Sequence, residues 1–230
     1  MIKENLLRLR EKIASICSRI GRSPDEITLI GVTKYSEAPD IKEAVDSGLK
    51  DIGENRVQEG QRKFPELDRL GVKATKHLIG HLQTNKVKYV LPLFDLIHSI
   101  DSLKLAEEVD KQAQKLNKTA DILIQVSTSG EEQKFGIDPQ EAARLIDQIV
   151  ILQNVRVRGL MTMAPLTEDI FVIRQCFKDL RLLRDQIQKN FPESDKISMK
   201  YLSMGMSQDF EIALEEGANM LRIGSAIFKN

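Results

Sequence analysis

The chain has 230 residues, 41% of them apolar and 30% charged, which is enough apolar material to bury one sizeable core. Lys plus Arg and Asp plus Glu balance at 34 each, so no long-range field draws it to nucleic acid, anionic lipid or an acidic partner, and a small ligand is expected. Only Cys17 and Cys176 are present, far apart and without metal-ligand spacing, which argues against a disulfide framework or zinc site and fits a reducing cytoplasm.

Leu6, Leu9, Ile13, Ile16 and Ile20 recur at three- and four-residue steps with charges between them, predicting an amphipathic helix that ends at Gly21. The same charges break up any apolar core of a signal peptide, and no stretch stays apolar for the roughly 18 residues of a membrane-spanning helix. Short β-branched or apolar runs then follow at 27-33, 51-53, 75-79, 95-98, 120-126, 154-161, 199-203 and 219-223. Between them lie helix-favouring stretches, among them 38-47 closed by Gly48, 55-69 closed by Gly71, 102-116 closed by Asn117, and 168-189. Parallel strands need such crossovers, and eight βα units close into a single (β/α)8 barrel of the TIM type with an extra N-terminal helix. A doubly wound open sheet is the alternative, because the runs at 51-53 and 95-98 are too short to establish a period. Nothing divides residues 1-230 by composition, so one domain is expected.

Lys34 stands at the carboxyl end of the first predicted strand, the end of a barrel that carries ligand loops. Strict alternation puts it on the face of Thr28, Ile30 and Val32, toward the barrel interior. An ammonium held against an apolar strand is costly to desolvate, which favours the neutral amine, a nucleophile toward aldehydes. Taken alone, Lys34 reads first as a lysine snorkelling from a strand end to solvent.

The last two strand ends change that weighing. Ser203-Met204-Gly205-Met206-Ser207 and Arg222-Ile223-Gly224-Ser225 each combine a glycine with hydroxyl donors, as phosphate loops after strands 7 and 8 of barrel enzymes do. Ser207 is expected at the N-cap of a helix carrying Phe210, Ala213 and Leu214, and Arg222 adds a permanent charge. Each element also has a plain structural role, as cap, turn or ion pair. Barrel closure would set this cradle beside strand 1, and a reactive amine, a phosphate cradle and a ring-sized gap together describe pyridoxal 5′-phosphate.

Of the three histidines, His77 is expected at the polar edge of strand 3, His98 at the end of strand 4 and His81 in a loop, all in structural roles and without metal-ligand spacing. Asn55 reads equally as a cap of its own helix or as an amide facing the cofactor. Met161, Met163, Met204 and Met206 read as gap-filling, with Met204 alone placed to touch a ring face.

Seven ordered segments carry a resemblance that runs nearly end to end. They are Gly31-Val32-Thr33-Lys34, Gly53-Glu54-Asn55-Arg56, His77 to Lys86, Lys134-Phe135-Gly136, Arg158-Gly159-Leu160-Met161, Leu202 to Ser207, and Arg222 to Ser225. By these the chain resembles the pyridoxal phosphate homeostasis protein family, whose fold is similar to the barrel domain of alanine racemase, the fold-type III cofactor fold. The resemblance implies an aldimine at Lys34, phosphate anchoring around Ser207, Arg222, Gly224 and Ser225, and a ring flanked by Asn55 and Met204. Ser127 stands where asparagine is expected in many relatives, which puts a polar contact from that loop in doubt.

The resemblance further implies a carrier or buffer of pyridoxal phosphate in vitamin B6 and amino-acid balance, yielding it to apo-enzymes or answering to a regulatory partner. Strand 8 is reached near residue 223, leaving no length for the second, β-rich domain of the racemases, so a cytoplasmic monomer without dedicated catalysis is expected. The alternatives are a low-activity amino-acid racemase, with Tyr35 and His81 as candidate acid/base groups beside Lys34, or a Schiff-base aldolase that uses no cofactor. The charged faces of the N-terminal helix and of 168-189 leave a pure interaction protein as a third reading.

Overall fold

Strand and helix alternate along the whole of the computed structural model, which describes residues 1–128 and 135–229. The chain opens with α1 (Ile2–Arg19), whose buried stripe of Leu6, Leu9, Ile13 and Ile16 is the predicted one, and turns at Gly21 with φ 69°. Then come β1 (Thr28–Val32), α2 (Ala38–Asp46), β2 (Asp51–Glu54), α3 (Val57–Arg69), β3 (Thr75–Leu78), α4 (Val87–Val90), β4 (Leu96–Ile100) and α5 (Leu103–Lys115). The second half runs β5 (Ala120–Gln125), α6 (Pro139–Ile149), β6 (Val155–Met161), α7 (Ile170–Asn190), β7 (Ile197–Ser203), α8 (Phe210–Glu215), β8 (Met220–Ile223) and α9 (Ser225–Phe228). Each of the eight expected strands is present, the two shortest expectations included.

All neighbouring strands pair in parallel, and the sheet closes in the order β1 to β8. The open-sheet alternative is excluded by the ladder between β8 and β1, in which Ile30 faces Arg222 and Gly31 faces Ile223. Helix α1 packs on α2, α8 and α9, and so covers the helical layer beside that seam.

Alternation along the strands sorts the side chains into two cores. Outward residues such as Ile52, Leu78, Ile97 and Leu202 join the helices in the larger core, while Ile30, Leu96, Leu123, Met161 and Met220 form a small cluster inside the barrel. The interior is only partly apolar, because His77, His98, Ser203 and Arg222 are also buried there.

A buried ion pair ties α3 to the ends of the first two strands. Lys63 and Glu54, 1% and 0% exposed, meet at 2.8 Å. Lys63 Nζ also donates to the carbonyl of Thr33 at 2.7 Å, and the Thr33 hydroxyl donates to Glu54 Oε1 at 2.6 Å. Thr33 immediately precedes Lys34, so the pair fixes the backbone from which that lysine projects. Lys63→Met would strand a carboxylate already short of one partner at Oε2, and is expected to lower the unfolding free energy in urea by about 3–5 kcal/mol. Adding Glu54→Leu to that variant should recover part of the loss, since the unpaired charge is then gone.

Candidate cofactor site

A cavity of about 770 Å³ opens at the carboxyl ends of the strands, a size that suits a small cofactor. Of the seven residues expected at the site, Lys34, Asn55, Ser207, Arg222, Gly224 and Ser225 line it together. Lys34 follows β1 by two residues, and its ammonium lies 4.9 Å from the ring centroid of Tyr35. The side chain is exposed. The expected desolvation against an apolar strand is therefore not present: the strand ends before the lysine, and the mouth there is open to water.

Asn55 is an exposed wall residue, and it does not cap its helix. Arg56 occupies that position without a side-chain hydrogen bond. Asn55 is instead placed by a backbone contact: a Cβ on Gly80 would come 2.1 Å from the Asn55 carbonyl oxygen, so glycine alone lets the loops after β2 and β3 lie together.

The cap expected of Ser207 is likewise absent. Helix α8 starts after Asp209, whose carboxylate accepts from the Met206 N–H, and the Ser207 hydroxyl has no hydrogen-bond partner among the described residues. The N–H groups of Ser207, Gln208 and Ser225 are similarly unengaged among the described residues. Gly205, at φ 93°, makes the turn that carries this loop, and its carbonyl accepts from Arg222 N. Gly224 leaves a notch in which a Cβ would meet Val32 Cβ and O at 3.3 Å. These hydroxyls, free N–H groups and glycine surfaces are what a phosphate dianion requires.

Met204 is a correction. It lies in the outer core, fully buried beside the helices, because it follows the inward-facing Ser203 by one residue. Met206 and Met163 line the cavity in its place. Lys134, in the fourth resembling segment, lies outside the described residues. Ser127 is half-buried, and its N–H donates to Ile137 O. Of the candidate acid/base groups, Tyr35 is 87% exposed, and His81 stacks on Phe135 with centroids 3.8 Å apart.

Below the mouth, Arg222 Nη1 donates to Ser203 Oγ at 2.7 Å and Nη2 to the Thr162 carbonyl at 2.8 Å. Ser203 Oγ lies 2.9 Å from His98 Nδ1, His98 Nε2 lies 2.9 Å from His77 Nδ1, and His77 Nε2 lies 3.0 Å from Asp51 Oδ1. Burial pulls Arg222 down to about 10, against the Asp209 carboxylate, so the guanidinium stays charged at neutral pH. Burial also raises the Asp209 carboxyl, opposed by the Met206 N–H and by Arg222.

Residues 5–230 match the family described as "Alanine racemase, N-terminal domain". The pyridoxal phosphate homeostasis protein of Aquifex aeolicus is 43% identical over 98% of this chain and 96% of its own length. The chain belongs to the pyridoxal phosphate homeostasis protein family. Its counterpart in Escherichia coli K12 is 38% identical over 99% of this chain and 95% of that protein. PipY of Synechococcus elongatus, solved with PLP bound, superposes with a TM-score of 0.86 at 36% identity, covering 99% of this chain and 100% of PipY.

The interior chain is what reading the sequence of this family member missed. His77 and His98 are neither an edge nor an end residue, and they touch across β3 and β4 although 21 positions separate them. The available signal was parity, since His77 shares its strand face with Thr75 and His98 with Leu96. Among the described residues no metal-binding cluster occurs, and the histidines bind one another instead. Burial, with His77 and Arg222 nearby, holds His98 well below the usual imidazole range. Unfolded, the same ring takes up a proton near pH 6.5, so acidification below that value favours the unfolded chain until the folded pKa is reached. Unfolding free energy should fall by up to about 1.4 kcal/mol per pH unit from this group, and His98→Gln should flatten the slope measured by urea titrations between pH 6.5 and 5.

Proposed function

We propose that this chain binds pyridoxal 5′-phosphate at the barrel mouth, held covalently by Lys34, and acts as a carrier or buffer in intracellular vitamin B6 and amino-acid homeostasis. The observation that carries this reading is the convergence in one cavity of a free amine at Lys34, unpartnered donors at Ser207 and Ser225, and the buried cation of Arg222. When bound, the cofactor supplies an aldehyde that a lysine amine converts to a Schiff base with loss of one water. Ser207, Ser225 and the adjoining N–H groups present hydrogen-bond donors to a phosphate, while Gly224 admits it to the backbone. Asn55 offers an amide from the wall, and Met163 and Met206 supply apolar surface for a ring.

The relatives' name and the PLP-bound PipY support this reading. The absence of dedicated catalysis is part of it. A racemase needs an acid/base group on each face of the substrate carbon, and beside Lys34 the candidates are a Tyr35 turned to solvent and a His81 engaged with Phe135. The reading places a monomer in the cytoplasm, exchanging cofactor with apo-enzymes or meeting a regulatory partner. A chain with only two cysteines, both buried, and the lack of any helix among the described residues able to cross a membrane, are compatible with that setting.

Protein mixed with pyridoxal phosphate should show a visible absorbance band that borohydride bleaches and that Lys34→Ala abolishes; a colourless wild-type protein would sink the reading. Ser207→Ala should weaken affinity by roughly tenfold, the worth of one hydrogen bond to a charged group, read by equilibrium titration of the same band. The loaded protein in deuterated water should not exchange the Cα hydrogen of added amino acids, and sustained exchange measured by NMR would instead establish the racemase alternative.

A further inference from the structure

The hydrogen-bond chain below the cavity spans the barrel from one opening to the other. At the amino-terminal end, Asp51 and His77 line a second hollow of about 690 Å³, while Arg222 lines the cavity at the carboxyl end. Asp51 does not touch the upper cavity; its carboxylate is about one-fifth exposed, on the floor.

With both imidazoles neutral and Asp51 a carboxylate, the two ends of this chain leave only one arrangement of protons. A guanidinium can only donate, so Ser203 Oγ accepts from Arg222. A carboxylate can only accept, so His77 carries its proton on Nε2, toward Asp51. With His77 neutral, its Nδ1 accepts, and His98 must be protonated on Nε2. His98, which burial keeps neutral, then accepts at Nδ1, and the only proton left to fill that bond is the Ser203 hydroxyl's. Every donor points from the mouth to the floor: Arg222 to Ser203, Ser203 to His98, His98 to His77, His77 to Asp51. Reversing one link would set two donors or two lone pairs against each other at hydrogen-bond distance.

We propose that Asp51, through His77, His98 and Ser203, is a positioning residue for Arg222: the floor carboxylate locks the polarity of the relay and so fixes the cation at the cofactor cavity. The other charged groups of the floor do not replace it. Asp121 is held by Arg156 and Arg158, and Asp95 accepts from the Lys76 N–H. Glu193, Asp195 and Lys200 line the hollow without an ion pair to His77 among the described residues. At the other end, Asp209 is the carboxylate that acts on Arg222, and Lys34 shares its cavity.

The inference rests on the proposed pyridoxal phosphate site only for its consequence, so it is tested first without cofactor. Nitrogen-15 NMR of the cofactor-free protein should show His77 and His98 each in a single Nε2–H tautomer. In Asp51→Asn, whose amide can donate or accept, His98 should show both tautomers, and Asp51→Glu should restore one. Affinity for pyridoxal phosphate, titrated at the same pH, should fall about three- to tenfold in Asp51→Asn, the range of one hydrogen bond, and recover in Asp51→Glu. A wild-type His98 protonated on Nδ1 would overturn the lock outright, whatever the variants do. Lost affinity with unchanged tautomers would reduce Asp51 to a structural residue, and mixed tautomers with full affinity would detach Arg222 from the relay; either result overturns the proposal. Failure of the wild type to bind pyridoxal phosphate at all would refute the cofactor reading, and the tautomers would still decide the relay.

Discussion

The ladder between β1 and β8 is the contact on which the site depends. Without it the first and last strands would be the edges of an open sheet, and Lys34 would have no relation to residues nearly two hundred positions later. With Ile30 set beside Arg222, the lysine loop and the glycine-hydroxyl loop share one wall of the cavity. The geometry is inherited from strand register rather than from loop conformation, which is why residues from β1, β2, β7 and β8 reach the mouth in fixed order.

Two buried polar assemblies stand on either side of that wall. Outside the barrel, Lys63 and Glu54 bind Thr33 and anchor the backbone before Lys34. Inside, the chain from Asp51 to Arg222 replaces part of the apolar filling with hydrogen bonds. A charge this deeply buried is costly unless it is partnered, and Arg222 meets the cost with a hydroxyl, a carbonyl and a nearby carboxylate. The interior is thus less adaptable than an apolar one, because each of these groups depends on the next for its partner.

The mouth is the opposite in character. Lys34, Tyr35 and Asn55 are exposed, and the Ser207 hydroxyl and the N–H groups of Ser207, Gln208 and Ser225 have no internal partners among the described residues. A rigid polar base beneath an open, unsatisfied rim suits a site that takes up and gives back its ligand. A lysine already in water also needs no large rearrangement to meet an aldehyde arriving from solvent.

Strand positions were legible because each apolar run is followed by a helix and a stop signal, such as Gly48, Gly71 or Asn117, all of which adopt positive φ. Lys34, Ser207, Arg222, Gly224 and Ser225 were legible as strand-end residues of the right chemistry. The cap expected at Ser207 was misplaced, and of the two readings of Asn55 the capping one fails, because Asp209 and Arg56 lie closer to where the helices begin. Met204 was misplaced by one step of alternation, which sends it outward and leaves Met206 at the cavity.

By itself the sequence determined the barrel, a lysine at the end of its first strand and glycine- and hydroxyl-bearing ends of its last two, since periodicity and local chemistry act over a few positions. Only the tertiary structure decided which of them meet. The His77–His98 contact, the burial of Arg222 and the exposure of Lys34 follow from closure of eight strands, a long-range constraint that no local pattern encodes.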